Sequence, residues 1–184
     1  MKMIKTLPWV LLLHLISGFA WTSVPPSPVH WKMEAQSESK SGRKIRASVS
    51  GTIEPGWHLY ALDQERNGPI PTSISIPNGE AFVLAAAVQQ TEPLMKWDHA
   101  VNVPVRYFER QVRFLVPLRA IAKHLDKSRP LKLKIAYQAC NDRLCLPPTA
   151  VELTASISGL LPSTFYKRLQ ESISNKTGSD LVCK

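Results

Sequence analysis

Cysteine is scarce in this 184-residue chain, which holds only Cys140, Cys145 and Cys183. So few cysteines exclude a small scaffold stapled by many disulfides. The length also makes such stapling unnecessary, because the buried fraction rises with chain size. No C-x-x-C pair occurs, which argues against a zinc ribbon, and no C-x-x-C-H occurs, which excludes covalent haem attachment. His99 and His124 lie far from the cysteines in sequence and supply no second ligand pair, so a zinc site has little support. Runs of Lys and Arg are missing too. The basic charges are scattered and no nucleic-acid motif is legible, so the basic balance does not point to nucleic acid. No Ser-His-Asp or paired-carboxylate pattern suggests a hydrolase. Glycine is low, with 8 residues against 15 prolines, a ratio that suits short strands joined by stiff turns.

Long apolar runs are absent except at the start. Lys2 and Lys5 precede an apolar stretch from Leu7 to Phe19, and Gly18 and Ala20 are small residues suited to cleavage after Ala20. That stretch is short for a bilayer span and has the form of a secretory signal, with a retained anchor as the competing reading. The expected division is a signal peptide over 1–20, a domain over 21–160, and a short helix and tail over 161–184. The chain length fits one domain with short extras. Losing Lys2 and Lys5 lowers the formal charge from +9 to +7. The mature chain is expected to be periplasmic or secreted.

The remaining pattern is all-β. Ile45, Ala47, Val49, Gly51 and Ile53 alternate with polar residues, as in a half-buried strand. Glu54-Pro55-Gly56 reads as a turn, followed by an extended Trp57-His58-Leu59-Tyr60. Asn67-Gly68-Pro69-Ile70-Pro71 is a loop. Ser73–Ile76 is a strand candidate, and Phe82–Val88 is a strand or, through Ala85–Ala87, a helix. Val112–Leu118, Leu131–Ala136 and Val151–Ile157 alternate clearly. Ala120–Leu125 suggests one helical turn. Several short strands with turn signals between them predict a β-sandwich. Phe165, Leu169 and Ile173 recur every four residues behind a capping Ser163 and predict a short C-terminal helix packed on the sandwich.

Cys140 and Cys145 flank Asn141-Asp142-Arg143-Leu144, and Asn-Asp is a turn pair. A hairpin there brings the two cysteines opposite each other, within disulfide reach. A bond closing so short a loop gains less stability than a long-range one. It is therefore either a redox pair, with Arg143 placed to stabilise a thiolate, or a plain hairpin staple in a binding module. Trp57, Tyr60 and Tyr137 are expected in the core, and Gln138 and Pro147 are expected to shape the hairpin.

The segment Tyr137-Gln138-Ala139-Cys140-Asn141-Asp142-Arg143-Leu144-Cys145-Leu146-Pro147-Pro148 resembles the redox motif of the N-terminal domain family of thiol:disulfide interchange protein DsbD. Pro55-Gly56-Trp57-His58-Leu59-Tyr60, the loop Gly68-Pro69-Ile70-Pro71-Thr72 and the stretch Trp97–Leu118 also resemble parts of that family, over roughly residues 30–158. The resemblance implies an immunoglobulin-like sandwich performing thiol–disulfide exchange with no metal or organic cofactor. It implies that Cys145 forms the mixed disulfide and Cys140 resolves it. The implied partners are a thioredoxin-like donor, disulfide-bearing acceptors and a separate membrane electron carrier. Members have a cap loop with acidic and aromatic residues over the disulfide. Here the corresponding stretch, Asp98-His99-Ala100-Val101-Asn102-Val103-Pro104, offers Asp98 as the acid and His99 as a base, with Val101 at its middle. It has no aromatic residue between Trp97 and Tyr107, and an ordinary solvated loop is the alternative. The spacing between the cysteines is also one residue shorter than in the best-known members.

Overall fold

The computed structural model describes residues 27–39, 41–99, 102–121 and 129–159. Among these residues there is no helix. The strands are β1 (Val29–Ser37), β2 (Lys44–Ile53), β3 (His58–Tyr60), β4 (Ser73–Ser75), β5 (Phe82–Leu84), β6 (Gln89–Gln90) and β7 (Leu94–Asp98), then β8 (Val103–Glu109), β9 (Gln111–Ala120), β10 (Leu131–Tyr137), β11 (Ala139–Cys140), β12 (Thr149–Ala155) and β13 (Ile157–Ser158). One sheet runs β13-β1-β2-β9-β5, with β6 also on β9; a second runs β12-β10-β4; a third runs β11-β3-β8-β7. The large sheet forms one layer of an immunoglobulin-like sandwich and the two smaller sheets share the other.

Alternation decides which residues enter the core. Ile45, Ala47, Val49 and Ile53 of β2 point inward with Val112, Phe114, Val116 and Leu118 of β9. They meet Leu131, Leu133, Ile135 and Tyr137 of β10 and Leu59 and Phe108 of the third sheet. Each fully buried Leu, Ile or Phe contributes about 1.5–3 kcal/mol by leaving water. Trp31 lies across this core, 5.3 Å from Tyr137 and 6.3 Å from Phe114 between ring centroids. Gly51 makes room for it: a Cβ there would sit 2.8 Å from the Trp31 ring.

Two short connections place the site. Arg110, with φ of 62°, lets the chain leave β8 in the third sheet and enter β9 in the large one. A single residue, Gln138, separates β10 in the second sheet from β11 in the third. The turn at Glu54-Pro55-Gly56 forms as expected: the Trp57 N–H donates to the Glu54 carbonyl at 3.1 Å, and Gly56 takes φ of 81°. Proline at the second position and a positive-φ glycine at the third are the signature of a type II turn.

Strand β1 adds to the strands expected from the sequence, with Val29, Trp31, Met33 and Ala35 alternating inward. The helical option for Phe82–Val88 is overturned. Phe82–Leu84 pairs with β9, and the Ala85 N–H donates to the Pro117 carbonyl at 2.9 Å. Ladder bonds outweigh the small helix preference of three alanines. Ala120 closes β9 and the Ile121 N–H donates to the Ala81 carbonyl at 2.9 Å, so the suggested helical turn does not start there; residues 122–125, the signal segment, the C-terminal helix and Cys183 lie outside the described residues.

Candidate functional site: a hairpin disulfide at a sheet edge

Cys140 and Cys145 are joined by a disulfide, with Cα atoms 4.0 Å apart. They form an antiparallel bridge. It is flanked by bonds from the Asn141 N–H to the Leu144 carbonyl and from the Leu146 N–H to the Ala139 carbonyl, each 2.9 Å. The sequence builds this turn locally. The Asn141 side-chain oxygen accepts the N–H groups of Arg143 and Leu144, each at 2.9 Å, the way an Asx turn replaces backbone pairing. The Gln138 amide donates to the Leu146 carbonyl at 3.0 Å and ties the far arm of the hairpin to the near one.

The two cysteines differ sharply in environment. Cys140 is 1% exposed, whereas Cys145 is exposed beside Leu144, which is 51% exposed. A staple sealed by Leu144 and core side chains would bury both cysteines; here the hairpin tip leaves one uncovered.

Register shows what surrounds the buried cysteine. Cys140 pairs with His58 on β3, and His58 pairs with Glu109 on β8. Directly opposed residues share a face, so Cys145, Cys140, His58 and Glu109 form one row across the sheet. The next row holds Tyr60 and Tyr107, and beyond it Val105 and Val103 follow on β8. Tyr60, Val105 and Cys140 form a small buried cluster, with Val103 and Tyr107 against it. Val105 and Val103 of β8 thus pack in the Cys140 cluster, where an aromatic cap was in question.

The electrostatics follow from this packing. His58 is 6% exposed, and its imidazole Nε2 has no hydrogen-bond partner among the described residues. Its ring lies edge-on to Tyr60 and Tyr107, with centroids 5.4 and 5.6 Å away. Burial lowers its pKa below the ordinary histidine value and Lys96 adds to this, while Glu109, Asp142 and Asp98 oppose it. Burial, and then the Asp98 charge, raise the Tyr60 phenol. Burial also raises Tyr107, helped by Glu109. The Lys96 ammonium sits 4.8 Å from the Tyr107 ring centre, within cation–π range.

The expected site residues therefore divide. Cys140, Cys145 and Gln138 come together. Asp98 ends β7 within electrostatic reach of His58 and Tyr60. His99 is exposed in the following turn, and Val101 lies outside the described residues. Pro147 is exposed just past the hairpin. Tyr137 belongs to the main core, where its hydroxyl shares a 2.8 Å hydrogen bond with Ser27. Trp57 packs on that core as expected, but Tyr60 does not: it lines the Cys140 cluster. His58 and Val105 were not legible as site residues, whereas Val103 lay within the expected cap stretch. A signal existed in the run His58-Leu59-Tyr60, buried on both faces, because a strand with large residues at consecutive positions has something on each side. Among the described residues no three His, Cys, Asp or Glu side chains cluster as a metal site would need.

Fold and site together define an immunoglobulin-like β-sandwich that carries a half-exposed disulfide at a sheet edge. The family described as thiol:disulfide interchange protein DsbD, N-terminal, matches residues 24–156. The chain belongs to that family. No curated protein matches it by sequence. Among solved structures, the N-terminal periplasmic domain of ScsB from Proteus mirabilis is 14% identical, with a TM-score of 0.57, and the match covers 84% of this chain and 57% of that one. The reduced DsbD N-terminal domain of Neisseria meningitidis is 17% identical, with a TM-score of 0.43, over 60% of this chain and 75% of that one. The likeness to the Proteus mirabilis domain is one of fold.

Proposed function

We propose that this chain is a periplasmic thiol–disulfide exchange module that relays electrons from a thioredoxin-like donor to disulfide-bearing acceptors through Cys140 and Cys145. The observation that carries this reading is the asymmetry of the pair, with Cys140 buried and Cys145 exposed. Exchange proceeds by attack of a thiolate on a reachable sulfur and passes through a mixed disulfide. A donor thiolate attacks Cys145, and Cys140 departs with the electron pair of the broken bond. The donor's second thiol then cleaves the mixed disulfide and leaves the pair reduced. Toward an acceptor the order reverses: Cys145 attacks the acceptor disulfide and Cys140 closes the bond again. Membership of the family and the periplasmic location of the Proteus mirabilis relative support the compartment and the partner class. A separate membrane carrier would recharge the donor.

Titration of the mature domain against glutathione tests this. Exchange-competent disulfides lie at about −120 to −270 mV, and structural ones below about −300 mV. A potential in the upper range is expected. A value well below it would make the bond a staple and the domain a binding module.

A further inference from the structure

Resting on this exchange reading, we infer that His58 accepts the proton of the Cys140 thiol when Cys140 resolves the mixed disulfide held on Cys145. Three observations meet on this residue. It is directly opposite Cys140 in the β11–β3 register and shares its face. It is almost wholly buried, in the strand that also carries Tyr60 of the Cys140 cluster. Its Nε2 has no partner among the described residues, although a buried polar nitrogen left unpaired costs about 1–3 kcal/mol. Burial without a partner is a state in which structures rarely leave a polar group. A group that changes during the working cycle accounts for it: the oxidised bond offers no thiol proton, and the reduced form does.

The chemistry balances. Cys140 S–H loses its proton to His58 Nε2, and the sulfur electron pair attacks Cys145 Sγ. The Cys140–Cys145 bond forms, the Cys145–partner bond breaks, and the partner sulfur leaves as a thiolate. The pair is oxidised by two electrons and the partner is reduced by two. The imidazolium then returns its proton to the departing thiolate or to solvent. Every element around His58 bears on this step. Glu109 on β8, Asp98 on β7 and Asp142 in the hairpin favour the imidazolium; Lys96 on β7 opposes it. Tyr60 and Tyr107 wall it in with their rings. Cys145 needs no such help, since it is exposed to solvent.

Single-turnover mixing of the reduced domain with dithionitrobenzoate tests the step. Attack by Cys145 releases one coloured thiolate in a concentration-dependent first phase, and closure by Cys140 releases a second in an intramolecular phase. The wild-type second phase should lose rate as pH falls through an inflection below the ordinary histidine pKa of about 6.5. In His58→Gln that phase should slow about 100-fold near neutral pH, the usual size of a general-base contribution. It should recover toward pH values above about 8.5, where a free thiol ionises unaided. The first phase should be unchanged. A wild-type second phase that follows only ordinary thiol ionisation overturns the inference, whether or not the variant folds. So does a variant slowed equally at every pH, which marks a packing role. Absence of a first phase in the wild type would sink the exchange reading itself, and this inference with it.

Discussion

Two neighbouring rows of one small sheet have opposite fates. Ala139, Leu59 and Phe108 pair across β11, β3 and β8 and enter the main core. One residue along, Cys140, His58 and Glu109 pair in the same way but point to the opposite face of the sheet. The inner row is wholly apolar. The outer row carries a disulfide, an imidazole whose Nε2 is unpaired among the described residues, and a carboxylate. The period-2 geometry of a strand separates them without any insertion or loop. Stability and reactivity are therefore adjacent in sequence but separable by mutation.

The sharpest way to break that comparison is Cys145→Ser, which should abolish exchange with any dithiol donor while the domain stays folded. Loss of so short a loop closure costs only about 2 kcal/mol in the chain-entropy picture, and thermal unfolding of the variant checks this. A variant that unfolds outright would show that the outer row also holds the fold. Next in size is Phe108→Ala on the inner row. It should cost about 3–5 kcal/mol, read by denaturant titration, and leave the reduction potential of the pair where it was. A large shift in potential would mean that the two rows are coupled.

Val105→Ala sits between these cases. It thins the cover over Cys140, and removing two buried carbon groups should cost about 2 kcal/mol. In the reduced variant Cys140 should react faster with an alkylating reagent than in the wild type, measured by mass spectrometry with Cys145 already blocked. Equal rates would show that Val105 does not control access to Cys140.

The smallest effect concerns pH. The folded state holds His58 below its ordinary pKa, so between that lowered value and about 6.5 the unfolded chain binds more protons. Stability of the oxidised domain should therefore be complete above about pH 6.5 and decline as the pH falls through this window. His58→Phe should flatten the slope there. An unchanged slope would assign the acid sensitivity to other groups.

Much of this was legible in the residues. Alternation in β2, β9, β10 and β12 requires sheets with one covered face, because side chains on a strand point to opposite sides. Asn141 and Asp142 between two cysteines announce a hairpin, since Asn closes its own turn through the Asn141 side chain. Strand β1 was harder to see, because its inward Trp31 and Met33 are only partly buried and its buried face ends on the small Ala35 and the polar Ser37. The cap was hardest. Asp98 ends β7 within electrostatic reach of the site and His99 is exposed in the turn that follows, while the valines packed at Cys140 are Val103, which lay in the expected cap stretch, and Val105, which read as an ordinary strand residue.

By itself the chain determined its local pieces: the alternating strands, the Pro-Gly turn and a cysteine hairpin closed within six residues, from Cys140 to Cys145. These depend on near neighbours, whose spacing and turn chemistry carry the information. Only the tertiary structure decided that Cys140 is buried, that Cys145 is not, and that His58 and Tyr60 face the pair. Those facts arise from which strands lie side by side and in what register. Contacts between residues some eighty positions apart, such as Cys140 with His58, leave no local pattern in the residues that make them.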